Sequence, residues 1–272
     1  MLIKIGNFDC TEVWDGVFYK SLSDYPNITD WEIRNILDFM DYESYNGREC
    51  EIQCESSDII ARIETASQNP ACYKTTPPPS LITECTACHH KGCETEFVCH
   101  TAPVENALKI FETGKLLSAV KARNLPAEQL MAEPRNAAHD PADFFHYIMF
   151  SWGNCQAGDR LVMERKLNCP PDEKALSADF TPGVRFYFTY RRLLTHPNAV
   201  TDGFLPIKIK DELILSDWIH TIIIPTIHKP ILETAISPDL KNKVIYVEND
   251  CKDIWDWSEK VYSIVKKPVT QQ

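Results

Sequence analysis

The chain has 272 residues, of which 44% are hydrophobic and 25% charged, a composition typical of a globular protein with one large domain or two small ones. No apolar run approaches the roughly 20 residues that span a bilayer, which argues against a membrane protein. The net charge of −11 argues against a broad basic face for duplex DNA, because neutralising phosphates requires clustered Lys and Arg.

Residues 1–65 predict a small, mainly helical N-terminal region. Thr29 or Asp30 can cap a helix whose apolar stripe includes Ile33 and Ile36. A second short helix is expected at 58–64. This helix is the last element that the pattern predicts in this region.

A polar, Pro-rich linker is expected at 66–80. Its three consecutive prolines, 77–79, are incompatible with a helix and favour polyproline II. We therefore expect the main domain to occupy 81–272.

The main domain alternates helix and strand patterns, which predicts an α+β fold. A short buried strand is expected at 97–101, followed by a helix at 103–113 that stops at Gly114. Later helices are expected at 126–131, 159–167 and 253–265, and later strands at 184–190, 204–215, 218–225 and 244–248. In the first of these strands, Arg185 and Tyr187 alternate with apolar residues, as in a strand with one solvated face.

Five basic residues could form a local basic site, but they are interpreted as solvated strand and loop charges: Arg185, Arg191, Arg192, Lys208 and Lys210. No dinucleotide-binding G-x-G-x-x-G, Walker or G-x-S-x-G sequence is present. The sequence thus gives no support to a Rossmann dehydrogenase, a P-loop NTPase or a serine hydrolase.

The eleven cysteines are an odd number, and the N-terminal segment has no apolar stretch typical of a signal peptide. We therefore expect a cytoplasmic protein with no membrane partner, whose thiols are free or bound to metal. Four of the cysteines fall within fifteen residues and could bind a structural zinc ion: Cys85, Cys88, Cys93 and Cys99. Free thiols and disulfides remain alternatives for this cluster.

The segment from 97 to 123 resembles the start of an ADP-ribosyltransferase domain. The matching features are His100-Thr101 at the end of a strand, Asn106-x3-Ile110 in a helix and Gly114-x-Leu116 after it. Arg123 stands where DarT-like toxins, which modify nucleic-acid bases, carry an arginine. The resemblance covers about thirty residues, and the chain lacks the residue that many members have between the His and the Ser or Thr.

The resemblance implies a split mixed or antiparallel sheet with flanking helices, and NAD as the substrate. It implies that His100 hydrogen-bonds the ribose next to nicotinamide and that Thr101 also belongs to the NAD-binding residues. Asn106 and Arg123 would position the phosphates or ribose of the dinucleotide, and His100 and Arg123 are also candidate catalytic residues. Tyr187 would stack on nicotinamide. Since a late-strand glutamate is expected to stabilise the oxocarbenium-like transition state, Glu248 is the candidate for that role, with Glu212 and Asp217 as substitutes.

The sequence therefore predicts ADP-ribosyl transfer to a protein or nucleic acid, or NAD glycohydrolysis. The alternative is a zinc-stabilised module that binds a protein or nucleic acid without chemistry. A third hypothesis is a cysteine nucleophile, Cys99 or Cys155, activated by His100 or His146.

Overall fold

A computed structural model describes residues 1–8, 11–14, 16–69, 72, 95–133, 141–177 and 179–266. Within these ranges, the N-terminal region contains strands β1 (Leu2–Gly6), β2 (Glu12–Trp14), β3 (Val17–Ser21) and β4 (Glu51–Cys54), and helices α1 (Asp30–Tyr45) and α2 (Ser57–Ser67). The predicted cap is confirmed, because Thr29 Oγ1 accepts from the backbone N–H of Glu32 at 3.2 Å and the Glu32 carboxylate accepts from the Thr29 N–H at 2.8 Å.

The four N-terminal strands form a sheet in the order β2-β3-β1-β4, which the sequence did not predict. These strands are three to five residues long, too short to show a clear alternation. Helices α1 and α2 supply part of the core that covers the sheet, which includes Ile3, Phe18, Ile36 and Ile63. Most of the predicted linker at 66–80 lies outside the described residues.

The main sheet has seven strands in the order β13-β12-β8-β5-β7-β10-β9. Their bounds are β5 (Phe97–Ala102), β7 (Tyr147–Trp152), β8 (Val184–Thr189), β9 (Ala199–Val200), β10 (Ile207–Lys210), β12 (Thr221–Pro225) and β13 (Val244–Val247). Only β12 and β13 pair in parallel; the other neighbours are antiparallel. The predicted α+β class with a mixed sheet is therefore confirmed.

The predicted strand at 204–215 is two strands in different sheets. Asp211 has a left-handed φ of 66°, so the chain turns sharply after β10. Strand β11 (Glu212–Ile214) then pairs with β6 (Lys115–Leu117) as a separate two-stranded sheet. This pairing places the G-x-L segment beside one face of the main sheet.

The remaining described helices flank the sheet. They are α3 (Val104–Thr113), α4 (Ala119–Arg123), α5 (Ala127–Met131), α6 (Ala157–Leu167), α7 (Tyr190–Leu193), α8 (Leu215–Trp218), α9 (Lys229–Leu232), α10 (Pro238–Lys241) and α11 (Ile254–Val265), with 3-10 helices at Ala142–His146 and Thr226–His228. The stop of α3 at Gly114 is confirmed by a left-handed φ of 68°.

Each face of the main sheet has its own apolar cluster. On the α3 face, Val98 and Phe186 pack with Phe111 of α3 and Leu116 of β6. On the α11 face, the core is built from residues of the sheet and of α6 and α11: Cys99, Tyr187, Met163, Trp257 and Val261. Both faces of the sheet are therefore covered.

Strand β8 lies in the middle of this arrangement, and the prediction that one of its faces is solvated is wrong. Arg185 and Tyr187 are both fully buried because α6 and α11 cover the face on which they lie. Lys208, predicted to be a solvated charge, is also fully buried. The alternation of polar and apolar residues therefore predicted the strand correctly, but the face that carries the polar residues is buried.

Candidate functional site

His100 lies on the α3 face of β5, with Phe186 of β8 as its cross-strand neighbour. Its ring meets that of Phe150 edge-on, with the centroids 6.0 Å apart. The side chain is only partly buried, unlike Val98 and Ala102, which flank it on the same face. His100 is thus a partly exposed polar side chain among mainly apolar neighbours on this face.

The pairing of β5 with β7 is short at this point. The ladder between these strands has two residue pairs, Val98 with Trp152 and Cys99 with Ser151, whereas the ladder of β5 with β8 has six. We call the place where β5 and β7 cease to pair, next to His100 and Met149, the seam. The backbone carbonyl of Met149 there accepts a hydrogen bond from a side chain.

The donor is the His100 ring, whose Nδ1 lies 3.1 Å from the Met149 carbonyl oxygen. A carbonyl can only accept, so Nδ1 carries the hydrogen. Burial lowers the pKa of His100, an effect that outweighs the opposing influence of this hydrogen bond. The imidazole is therefore neutral near pH 7, and its Nε2 is left as a hydrogen-bond acceptor.

Thr101 follows His100 directly, but its side chain lies on the opposite face of the sheet. Its hydroxyl is 3.7 Å from the Cys99 sulfur. A Cβ added to Gly158 at the start of α6 would overlap the Thr101 side chain, so α6 approaches β5 closely here. The structure thus does not bring His100 and Thr101 together on one face, and NAD binding by Thr101 stays a prediction.

Tyr187 lies on the α11 face and has no exposed surface. Its hydroxyl accepts a hydrogen bond from Arg185 Nη1 at 3.1 Å. Stacking on nicotinamide needs an accessible ring face, which this position does not offer. In the structure, Tyr187 is part of the buried core between the sheet and helix α11.

The same core contains an ion pair between Arg185 and Asp159, both of which are fully buried. Asp159 Oδ2 accepts from Arg185 Nε at 2.8 Å, and Oδ1 accepts from the Gly183 N–H at 3.0 Å. Arg185 Nη2 donates to Ser258 Oγ of α11 at 2.8 Å. Burial alone would lower the pKa of Arg185, but the Asp159 carboxylate raises it above its ordinary value.

Sequence reasoning missed this pair. The pattern predicts a helix at Asp159 and a solvated strand face at Arg185, and the two residues are 26 positions apart. The usable signal was the arginine itself, because a charge in a strand that also contains Phe186 and Phe188 needs a partner if that strand is central.

Glu248 is exposed and immediately follows β13 at the far edge of the sheet. Along the register, His100 lies opposite Phe186, which lies opposite Ile222, which lies opposite Val244. Three strand spacings separate His100 from Val244, or about 14 Å. The structure therefore does not bring Glu248 to His100.

The other two predicted site residues also lie at the surface. Asn106 is exposed on α3. Arg123 is half exposed at the end of α4 and pairs with Glu133 at 2.5 Å. Their roles toward a dinucleotide stay predictions.

The proposed zinc cluster falls mostly outside the described residues, since Cys85, Cys88 and Cys93 are not among them. Cys99 is described, and burial raises the pKa of its thiol to about 12. It lies on the face opposite His100, so His100 cannot activate it as a nucleophile. Among the described residues there is no group of three or more His, Cys, Asp or Glu side chains that could hold a metal ion.

Comparison of the chain with protein-family models, with curated proteins and with solved structures found no match. In the part of the chain that the structure describes, none of the helices has the length and apolar character needed to cross a bilayer.

Proposed function

We propose that this protein binds NAD at the seam and cleaves its nicotinamide–ribose bond, passing ADP-ribose to an acceptor or to water. The observation that carries the proposal is the position of His100, whose Nδ1 donates to Met149 where β5 and β7 cease to pair and whose Nε2 is thereby left as an acceptor. A ribose hydroxyl is a donor of the kind that this nitrogen can bind. The strand, helix and G-x-L order from 97 to 117 supports the same assignment.

The chemistry requires few groups. The bond between ribose C1′ and the nicotinamide nitrogen breaks, and its electron pair leaves with nicotinamide, which becomes neutral. The acceptor's nucleophilic atom then bonds to C1′ and loses its proton. The protein contributes by fixing the ribose and by stabilising positive charge that develops on the ring.

His100 would fix the ribose through Nε2 while Nδ1 keeps its bond to Met149. This division of roles gives a matched pair of variants. In His100→Asn, the amide nitrogen can take the place of Nδ1, but the acceptor at Nε2 is lost. In His100→Gln, the longer side chain can place an oxygen near the Nε2 position.

The test is to incubate the purified protein with NAD and to measure both nicotinamide release and NAD affinity by calorimetry. We expect His100→Asn to weaken NAD binding about tenfold, as the loss of one hydrogen bond predicts. His100→Gln should retain more of the affinity. Equal behaviour of both variants and the unchanged protein would overturn the role of His100.

The carboxylate expected to stabilise the transition state is tested in a separate experiment. Glu248→Gln tests the predicted residue, and Glu212→Gln and Asp217→Asn test the substitutes. Loss of nicotinamide release with unchanged NAD affinity in one of these variants would identify the group that stabilises the transition state. Absence of both release and NAD binding in the unchanged protein would reject the proposal and favour a binding module without chemistry.

A further inference from the structure

Strand β13 forms one edge of the main sheet, and among the described residues it pairs only with β12. The edge at the other end of the sheet is β9, whose two residues offer little backbone for pairing. By contrast, β13 has four residues, and its sequence Val-Ile-Tyr-Val contains no charge or proline that would block pairing with another strand. The NAD chemistry proposed above does not use this backbone edge.

The hydrogen bonds of β12 show which backbone groups of β13 point away from the sheet. The Ile222 N–H donates to the Lys243 carbonyl at 2.8 Å, and Ile222 lies opposite Val244 in the parallel ladder. Because the direction of these bonds alternates along a strand, the N–H and C=O groups of Val244 and Tyr246 point away from β12. In the described part of the chain, no other backbone group bonds to them. The edge therefore presents donors and acceptors in the pattern that a further strand requires.

Apolar side chains surround this edge. Val244 and Tyr246 are partly exposed, although they also pack against the core of the α3 face. Lys229 Nζ of α9 lies 4.9 Å from the centroid of the Tyr246 ring, which places α9 beside the edge. Ile227 and Ile231, two residues before and after Lys229, are 68% and 51% exposed. Exposed isoleucines next to an open strand edge are a feature of interaction surfaces.

The two ends of β13 carry opposite charges. Lys243 precedes the strand and Glu248 follows it, and both residues are exposed. A second copy of the strand that runs antiparallel places the Lys243 end of each strand beside the Glu248 end of the other. A parallel copy would instead bring like charges together. Since opposite charges across paired strands are stabilising, the charges favour an antiparallel copy of β13 as the occupant of this edge.

We propose that two copies of this chain pair through β13, antiparallel about a two-fold axis, and join their main sheets into one continuous sheet. In the register that places Ile245 of each copy opposite that of the other, Val244 lies opposite Tyr246 of the partner subunit. Each of the two pairs of this kind exchanges N–H···O=C bonds in both directions. The outward backbone groups of both strands are then satisfied.

The first test is sedimentation equilibrium of the full chain between about 1 and 100 µM. We expect the mass to rise with concentration towards twice the 31.2 kDa of one chain. Val244→Pro removes an outward N–H that the ladder with β12 does not use, so it should weaken association at least about tenfold.

Charge variants test the antiparallel direction. Lys243→Glu should weaken association about threefold to tenfold, and adding Glu248→Lys to it should restore most of the loss. Lys121→Glu, the same charge change at an exposed position of α4, is the matched control and should leave association unchanged.

Hydrogen exchange measured by mass spectrometry locates the contact. Peptides that contain Val244 and Tyr246 should exchange more slowly at about 100 µM than at about 1 µM, because their outward N–H groups become hydrogen-bonded. This measurement and the charge variants decide the proposal even if Val244→Pro does not fold, which circular dichroism would show.

A chain that stays monomeric up to about 100 µM would overturn the proposal. A dimer whose β13 peptides exchange equally fast at both concentrations would also overturn it, because the contact would then lie elsewhere. Failure of Glu248→Lys to restore the association lost in Lys243→Glu would contradict the antiparallel arrangement. None of these measurements involves NAD, so they are independent of the test of the proposed function.

Discussion

The Asp159 carboxylate is the counter-charge of Arg185, and neither side chain reaches solvent. Removing it leaves a buried guanidinium without compensation. We expect Asp159→Ala to lower the free energy of unfolding by about 3–5 kcal/mol, measured by chemical denaturation. The exposed pair of Lys174 with Asp179 is the control, and Asp179→Ala should cost less than about 1 kcal/mol.

A double variant separates charge from packing. Replacing both partners, Asp159→Leu with Arg185→Met, removes the unpaired charge and should restore part of the lost stability. If the double variant were less stable than Asp159→Ala, the hydrogen bonds that Arg185 donates to Ser258 and Tyr187 would contribute more than the removal of its unpaired charge.

His100 makes the free energy of unfolding depend on pH. Its pKa is lowered on folding, so between that value and the unfolded value of about 6.5 the unfolded chain binds more protons than the folded one. The free energy of unfolding therefore falls as the pH decreases through this interval and is unaffected by His100 above it. Denaturation curves between about pH 7 and pH 5 should be less pH-dependent in His100→Asn.

The pKa values of His196 and His220 are also lowered by burial, so the variant keeps part of the dependence. The informative quantity is the difference between the two proteins. A pH dependence identical in both would show that His100 takes up its proton as readily in the folded state as in the unfolded chain.

Helix α6 approaches β5 through Gly158. A Cβ at this position would lie 2.6 Å from Thr101 Cβ and closer still to its hydroxyl. In an exposed helix, Gly to Ala would add up to about 1 kcal/mol of stability. Here we expect Gly158→Ala to lower the free energy of unfolding by about 1–3 kcal/mol, because the helix must move off the strand.

Thermal denaturation measures this effect. Combining Gly158→Ala with Thr101→Ala should recover only part of the loss, because the Thr101 Cβ remains in the variant. A Gly158→Ala protein more stable than the original would mean that α6 can shift without cost.

Most main-domain elements could be predicted because their patterns are long or sharply punctuated. Helix α3 has an apolar stripe and ends at Gly114, and α11 follows its cap, Asp253. The N-terminal sheet and the break at Asp211 could not be predicted. Strands of three to five residues are too short to show alternation, and one residue with a left-handed φ has no distinctive sequence pattern. Pairing between strands depends on the whole fold, so the position of Glu248 relative to His100 was not accessible either.

The sequence suggested two separate regions, but described residues connect them closely. The Tyr42 hydroxyl of α1 donates to Asp143, and Arg48 pairs with the same carboxylate at 2.8 Å. Tyr42 also covers the ammonium group of Lys208. We expect the two regions to unfold together.

Lys208→Met tests this coupling, because it leaves Asp202 buried without its cation. The expected loss is about 3–5 kcal/mol in the free energy of unfolding. Hydrogen exchange measured by mass spectrometry should show α1 peptides losing protection along with those of β10. Lys109→Met, at an exposed position on α3, is the control, and Lys208→Met with unchanged exchange in α1 would contradict the coupling.

The short ladder at the seam has a topological consequence. Strands β5, β8, β12 and β13 lie on one side of it, and β7, β10 and β9 lie on the other. Followed in chain order, the backbone passes from side to side between β5 and β7, between β7 and β8, between β8 and β9, and between β10 and β12. No single cut in the chain can therefore release either side of the sheet as a continuous fragment.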